Sequence, residues 1–595
     1  MSFNILRKIG NLLSLFYRTF GGYKWHIMLM AFLSFISGLL EGIGVTAIIP
    51  LFSVIGGGGG GPEDSISLAI AAFFRYLHLP FTPKFLLFFM VALFFAKALF
   101  LLLSQQITSR IMADFEKRMR SKLLSLTFNA NWPFLSSQRV GHLGQMVITE
   151  VSNSSAILYY LSSAMLVLAN LVIYTGLVFN LSGVVAALAF LSGLVIFFSF
   201  LPLLRTTKII AASMVRQNKR IAHFAGEHII GAKTLKSMAL EAPVLKRGDG
   251  LLSTMKALYL RSCLLKNITD ALLQLVGVFF VVGLFAFLYK TSAFEFASFA
   301  VMVYALNKII TNVQYTQNHA HVISASIPYL ASIARYEDEA TQNREEDSGI
   351  APFRLEKEIV FRDVGFEYRS DKPSISRVNL SIKKGEMVGL IGPSGAGKTT
   401  VVDLLLRLIK PNTGAITVDG VDISSVNLDE WRSQIGYMSQ DVFLLNDTIE
   451  NNIRFYSAEI SEQDMIRAAK LANIYDFVVS QPNGFSTDVG ERGLSLSVGQ
   501  RQRIALARVL ARKPRVLILD EATSALDNES EALIRKSMEE LRKKMTIIVI
   551  AHKLSIVLGA DRLFILDGGT VVEEGKPSEL LKKADSRFST LHARS

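Results

Sequence analysis

Residues 392–399 read Gly392-Pro393-Ser394-Gly395-Ala396-Gly397-Lys398-Thr399, and Thr400 follows. Two glycines separated by four residues and closed by a lysine and a hydroxyl residue have the phosphate-cradling spacing G-x-x-x-x-G-K-[ST]. That spacing carries weight only between a strand and a helix. Here the apolar run 387–391 predicts a buried strand and 400–408 an apolar helix. Glycine lets the backbone close on phosphate oxygens, and a helix start aims N–H groups at them. Lys398 is expected to hold the β- and γ-phosphates and Thr399 to ligate Mg²⁺, so ATP and Mg²⁺ are the expected ligands.

Two more strand ends carry chemistry. Residues 516–519 are apolar and run into Asp520 and Glu521. Acids at the carboxyl end of a parallel strand stand where such sheets bind ligands. Asp520 suits the Mg²⁺ shell, and Glu521 suits polarisation of an attacking water. Residues 546–550 form a third strand, which leads to His552. That imidazole could be a local hydrogen-bonding group. At the same sheet edge it could also reach a phosphate oxygen or the water.

These groups need a sheet, and the composition places it after residue 340. Before that point lie six apolar stretches long enough to cross a bilayer, at about 26–54, 84–106, 155–179, 181–204, 268–289 and 293–314. A transmembrane domain is expected over 1–340, a linker over 341–355 and a nucleotide-binding domain over 356–595. The chain has 595 residues, of which 50% are apolar and 19% charged, which excludes disorder. Its one cysteine, Cys263, excludes a disulfide framework. The net charge of +13 is concentrated in the links. Segment 107–153 holds six Lys/Arg, and 205–267 holds twelve against three acids. Basic links stay in the cytoplasm, which places both termini there and accounts for the charge without nucleic acid. Both long links read as helices leaving the membrane, with breaks near Trp132-Pro133-Phe134 and between Gly226 and Gly231. A glycine run at 56–61, followed by Pro62, predicts a flexible external loop.

With these residues in place the whole chain resembles the ABC transporter superfamily, in its exporter-type half-transporter form. The resemblance implies an all-α six-helix transmembrane domain with long cytoplasmic helical extensions, followed by an α/β P-loop ATPase. Leu496-Ser497-Val498-Gly499-Gln500 resembles the family signature, with Val498 in place of its first glycine. By resemblance, Ser497 and Gly499 contact the nucleotide held by a second subunit, and Gln500 completes the motif. Gln440 matches a metal-binding and coupling glutamine, Tyr368 the aromatic that stacks on adenine, and Asp527 the D-loop aspartate. Residues 490–493 look like the exporter X-loop, and 132–140 and 226–232 like the two coupling helices. A head-to-tail homodimer with two composite sites is implied. With Glu521 and His552 both present, hydrolysis is expected.

The cargo is less legible. Glu41 and Lys97 are charged residues inside the first two apolar stretches, and burying a charge in lipid is costly. Rise per residue separates them in depth by ~10 Å. A mutual pair, a snorkelling Lys97 and contact with a polar head group of the substrate all stay open. Asp270 and Lys308 read as span-end residues. The run from Leu39 to Pro50, together with Lys97, is similar to bacterial exporters that flip lipid-linked oligosaccharides. The expectation is therefore ATP-driven movement of an amphipathic substrate across a bacterial inner membrane, a lipid-linked oligosaccharide or other lipid first. Export of peptides or amphipathic drugs is the alternative. Lipid A or phospholipid flipping and an ATP-gated channel follow.

Overall fold

The structure is a computed structural model. It describes residues 14–55, 65–138, 141–181, 183–288, 296–369, 372–521, 528–542, 544–551, 554–583 and 585–594. The glycine-run loop, Asp527 and His552 lie outside them. The chain forms two compact units, one of Met1–Ala130 with Ser136–Arg344, the other of Asn131–Leu135 with Glu345–Ser595.

Among its described residues the first unit is built on six long helices: α1 Lys24–Thr46, α2 Pro83–Phe128, α3 Val151–Leu181, α4 Gly183–Ile230, α5 Glu241–Leu288 and α6 Phe296–Gln342. Among the described residues, four segments are long and apolar enough to cross a bilayer, namely Ser14–Phe52, Pro83–Phe128, Leu143–Asn180 and Glu241–Gly283. Leu87, Phe88, Val91, Phe95, Leu99 and Leu102 of α2 are exposed, as a lipid-facing surface requires. Small residues set the opposite contact. A Cβ on Gly38 would lie 2.7 Å from Asn170 Oδ1, and one on Gly42 2.6 Å from Ile173 Cγ2, so glycine is what lets α1 lie close against α3.

Two breaks differ from expectation. The first apolar stretch is not one helix; it stops at Thr46 and resumes as Ile48–Ile55. Pro50 has no N–H for the carbonyl one turn back, so the interruption falls just before it. The second link breaks at Gly231, the far end of the expected stretch, and not at Gly226. Helix α4 continues through it to Ile230, and the short helix is Ala232–Ser237 rather than 226–232. A single glycine costs a helix only about 1 kcal/mol, and the long flanks absorb it. The chain turns again at Ala239, in left-handed backbone with φ +52°, before α5. The other break falls where expected. Helix α2 ends at Phe128, and Asn131 Oδ1 caps a short helix, Trp132–Ser137, through the Phe134 N–H at 3.0 Å.

Among its described residues the second unit holds ten strands: β1 Glu358–Arg369, β2 Lys372–Lys383, β3 Met387–Ile391, β4 Thr413–Val418, β5 Val421–Asp422, β6 Ile435–Met438, β7 Val516–Asp520, β8 Thr546–Ile550, β9 Arg562–Asp567 and β10 Thr570–Gly575. They form a four-stranded antiparallel sheet, β2-β1-β4-β5, and a six-stranded sheet, β10-β9-β3-β8-β7-β6. Strands β9, β3, β8, β7 and β6 run parallel, and β10 is antiparallel to β9. Parallel strands are covered on both faces and so read as unbroken apolar runs. Leu517 and Leu519 of β7 point into one hydrophobic cluster, and Val516 and Ile518 into the other. The central β3, β8, β7 and β6 thereby bring their carboxyl ends to a common edge.

Candidate functional site

The loop after β3 is shaped by its glycines. Gly392 has φ +155°, and a Cβ there would sit 2.1 Å from the carbonyl oxygen of Leu566. Gly397 is left-handed at φ +99°, and a Cβ there would sit 2.5 Å from Ile375 Cγ2. Only glycine fits either place. The chain then enters α7, Lys398–Leu405. Pro393, Ser394 and Gly395 are exposed along the loop, and Ala396 is buried beneath it. Lys398 is buried, and its ammonium donates to the loop's own carbonyls, Gly392 at 2.8 Å and Pro393 at 3.0 Å. Burial pushes its pKa down, while Glu521 and Asp520 oppose the shift. Thr399 is exposed at the mouth. Thr400 turns inward, 2.8 Å from the hydroxyl of Ser374.

The two acids stand at the end of β7. Asp520 is buried, and burial raises its pKa, with the Glu521 charge adding to the effect; Lys398 and a hydrogen bond from Tyr437 (3.2 Å) pull the other way. Tyr437 itself is pushed far above the ordinary phenol range, first by burial and then by Asp520. Glu521 has left-handed backbone at φ +47°, and its N–H donates to Ile550 of β8 at 2.9 Å. Its carboxylate accepts 2.6 Å from the Gln440 amide, which follows β6. Sheet order explains the pairing, since β6 and β7 are neighbours. The donor set is a buried carboxylate, a hydroxyl and an amide. Hard oxygen ligands of this kind fit Mg²⁺ rather than a thiolate-seeking metal.

Of the remaining predicted residues, Tyr368 stands beside α7 and the signature residues lie at another helix start. Tyr368 is on β1 with its side chain 60% exposed, edge-on to Phe366, and donates to Asp403 at 3.3 Å. Ser497 caps α8, Val498–Ala511, by accepting from the Gln500 N–H at 3.2 Å. The Gln500 side chain accepts in return from the Ser497 N–H at 2.8 Å, a reciprocal capping box. Gly499 is buried, and Val498 is 40% exposed on the first turn. The reading of motifs passed over Ser374, Asp403 and Tyr437. Only Tyr437 had a signal, through its place two residues before Ser439-Gln440.

In the helical unit Glu41 is buried with both oxygens engaged. Lys97 of α2 lies 3.0 Å from one and Lys308 of α6 2.8 Å from the other. Lys308 is therefore not a span-end residue of no consequence, and Glu41 and Lys97 are close enough for a direct pair. Rise counted along each helix alone missed this, because relative depth depends on how α1, α2 and α6 are staggered.

Comparison with known proteins bears on both units. The family profile described as "ABC transporter" matches residues 375–524, and that described as "ABC transporter transmembrane region" matches 27–312. The ATP-dependent lipid A-core flippase of Desulfotalea psychrophila is 31% identical over 505 residues, which cover 83% of this chain and 86% of that one. The chain belongs to the ABC transporter family. It is an exporter-type half-transporter, with the transmembrane region and an ATP-hydrolysing domain in one polypeptide. Mouse ATP-binding cassette sub-family B member 5 is 47% identical over 245 residues, 41% of this chain and 19% of that protein. The lipid A-core flippase of Neisseria meningitidis serogroup B is 44% identical over 241 residues, 40% of this chain and 39% of that one. The chain therefore spans only a fifth to two fifths of the length of these last two relatives. The structure of a bacterial Atm1-family ABC exporter with ATP bound has the same fold, with a TM-score of 0.77 at 24% identity over 97% of this chain and 99% of that one.

Proposed function

We propose that this exporter is an ATP-driven flippase that moves an amphipathic lipid from the cytoplasmic leaflet of a bacterial inner membrane by alternating access. One observation carries the choice of a lipid. The similarity to a lipid A-core flippase spans 83% of the chain, so it includes the helices that would handle cargo as well as the ATPase. The charge cluster supports the same reading. Lys97, Glu41 and Lys308 sum to one positive charge among apolar helices, which suits a lipid with an anionic head group. Lipid A-type and oligosaccharide-linked lipids share that chemistry, with Glu41 and Lys97 in the substrate path.

In this reading the chain works as a head-to-tail homodimer with its termini in the cytoplasm. Tyr368 stacks on adenine, and residues 392–400 cradle the phosphates. Lys398 leaves its loop carbonyls for phosphate oxygens, exchanging one set of hydrogen bonds for stronger charge-assisted ones. Thr399, Asp520 and Gln440 would hold Mg²⁺, which when bound neutralises phosphate charge. Glu521 takes the proton of the attacking water, with His552 beside the γ-phosphate. Ser497, Gly499 and Gln500 of one subunit, with Asp527, complete the site of the other.

The test is ATPase activity of the purified protein in liposomes, titrated with lipid A-core, a lipid-linked oligosaccharide or amphipathic peptides. Stimulation by a glycolipid, absent in Glu521→Gln, is expected. Stimulation by peptides alone would move the assignment to peptide export.

A further inference from the structure

The hydroxyl of Tyr368 has a partner that no motif picks out. Tyr368 stands near the end of β1, and its ring meets Phe366 edge-on, with centroids 4.9 Å apart. The residue is 60% exposed, so packing fixes one edge of the ring and leaves much of the rest to solvent. A further constraint comes from α7. The phenol donates to Asp403 Oδ2 at 3.3 Å, across 35 residues of sequence. Among the described residues Tyr368 is the only donor to that carboxylate. Asp403 is half-buried. Burial pushes its pKa up, the Tyr368 hydrogen bond pulls it down, and the Asp520 charge adds to the rise. A carboxylate half removed from water is short of donors, so it holds the hydroxyl it has.

The helix that offers Asp403 is itself fixed against the hairpin of β1 and β2. Thr400 and Asp403 are three residues apart on α7 and so share a face. Both reach the hairpin: Thr400 meets Ser374 of β2 at 2.8 Å, and Asp403 meets Tyr368 of β1. Ile375 of β2, the residue on which Gly397 closes, pairs with Phe366 of β1. The hairpin is therefore seated on the phosphate loop. The bond between Tyr368 and Asp403 extends that seating to the tip of an exposed ring.

We propose that Asp403 is a positioning residue for ATP, holding the Tyr368 ring ready for adenine and tying it to the helix that starts the phosphate loop. This role rests on Tyr368 stacking on adenine. A loose ring gives up side-chain rotation when the nucleotide arrives. A ring already held gives up less, and the difference is gained as affinity. Asp403 acts through the ring, so its contribution falls on ATP binding and leaves hydrolysis alone.

The full-length protein in liposomes is assayed for ATPase activity, with inorganic tripolyphosphate as a competitor that has phosphates and no base. Asp403→Leu and Tyr368→Phe should each raise the KM for ATP about three- to fivefold, the worth of one long, part-exposed hydrogen bond. The double variant should be no worse than either alone, because both remove the same bond. Asp403→Asn, whose amide oxygen still accepts, should restore most of the affinity. In Asp403→Leu kcat should hold, and tripolyphosphate should inhibit as in wild type, since it has no base for the ring to meet. Unchanged KM in both single variants overturns the proposal, as do effects that multiply in the double variant. Weaker inhibition of Asp403→Leu by tripolyphosphate overturns it too, because α7 and its phosphate loop would then be what the substitution disturbs. Tyr368→Phe removes only a hydroxyl from an exposed ring, so it carries the test if Asp403→Leu fails to fold. Tyr368→Ala should raise KM by about tenfold or more through lost stacking. If it does while Asp403→Leu and Tyr368→Phe do not, the positioning role alone fails; if it does not, the stacking reading fails with it.

Discussion

At the scale of single residues, Glu521 differs from an ordinary strand-end acid in two ways. Its backbone is left-handed, which non-glycine residues rarely adopt, and its carboxylate is held by Gln440. Strain of that kind persists only where surrounding contacts over-determine it, here the β8 carbonyl and the Gln440 amide. Glu521→Gln keeps an acceptor oxygen for Gln440 but cannot take a proton. ATP binding should stay near wild type, while phosphate release falls by about 10²-fold or more. Binding of a fluorescent ATP analogue and steady-state phosphate release check the two halves. Turnover within a few-fold of wild type would place the base elsewhere. Val498 gives a second prediction. It puts a branched, exposed side chain on the first turn of α8, beside the Ser497–Gln500 capping box. If that turn meets the partner's nucleotide, Val498→Gly should raise ATPase turnover several-fold. The cap is made by residues that do not change, so stability should shift by only about 1 kcal/mol. An unaltered rate with an unaltered melting temperature would show that the side chain does not limit approach.

The three-charge cluster belongs to the scale of elements, because α1, α2 and α6 must all be in register to form it. Its arithmetic is unequal: two cations share one anion. Losing either lysine leaves a balanced pair, whereas losing Glu41 leaves two half-buried cations without a counter-charge. Glu41→Ala should therefore cost about 3–5 kcal/mol and Lys97→Met markedly less. Thermal unfolding in detergent, followed by tryptophan fluorescence, measures both. Equal losses would mean that Lys308 does not neutralise Glu41 when Lys97 is gone. The same cluster shows what could be read without coordinates. Glu41 and Lys97 stand out because charges are rare in apolar stretches. Lys308 does not, because its importance comes from a stagger between helices that periodicity along one chain cannot supply. The phosphate loop is the opposite case. Its glycines, lysine and flanking strand are contiguous, so local chemistry specifies it completely. The contacts between Gln440 and Glu521 and between Tyr437 and Asp520 fall between these extremes. Each residue type was legible, but the partnership follows from sheet order, with β6 beside β7. The early stop of α1 was in principle readable from Pro50, and the passage of α4 through Gly226 shows how little one glycine weighs in a 48-residue helix.

For the whole molecule the question is whether one chain can complete its own site. Lys398 starts α7 and Ser497 caps α8, so the phosphate loop and the signature sit at two separate helix starts within the nucleotide unit. In a head-to-tail dimer each site takes the loop of one subunit and the signature of the other. Two crippled chains then make a sharp test. Lys398→Ala destroys the loop and leaves the signature intact. Ser497→Arg does the reverse, placing a bulky cation where a small hydroxyl caps the helix. Either variant alone should be inactive, since both of its sites carry a defect. A mixed dimer is different. Both defects fall in one composite site, and the other pairs an intact loop with an intact signature. Random assembly makes half of all dimers mixed, and each has one good site, so the mixture should recover about a quarter of wild-type ATPase if the sites act independently. If hydrolysis needs both sites closed together, recovery drops to nothing, and ATP-induced association of Glu521→Gln subunits then separates a coupled dimer from no dimer. If each chain used its own loop and signature, mixing would recover nothing and Glu521→Gln would stay monomeric with ATP bound. Light scattering of that variant with and without ATP therefore completes the experiment, because only a shared site ties nucleotide occupancy to the number of chains in the particle.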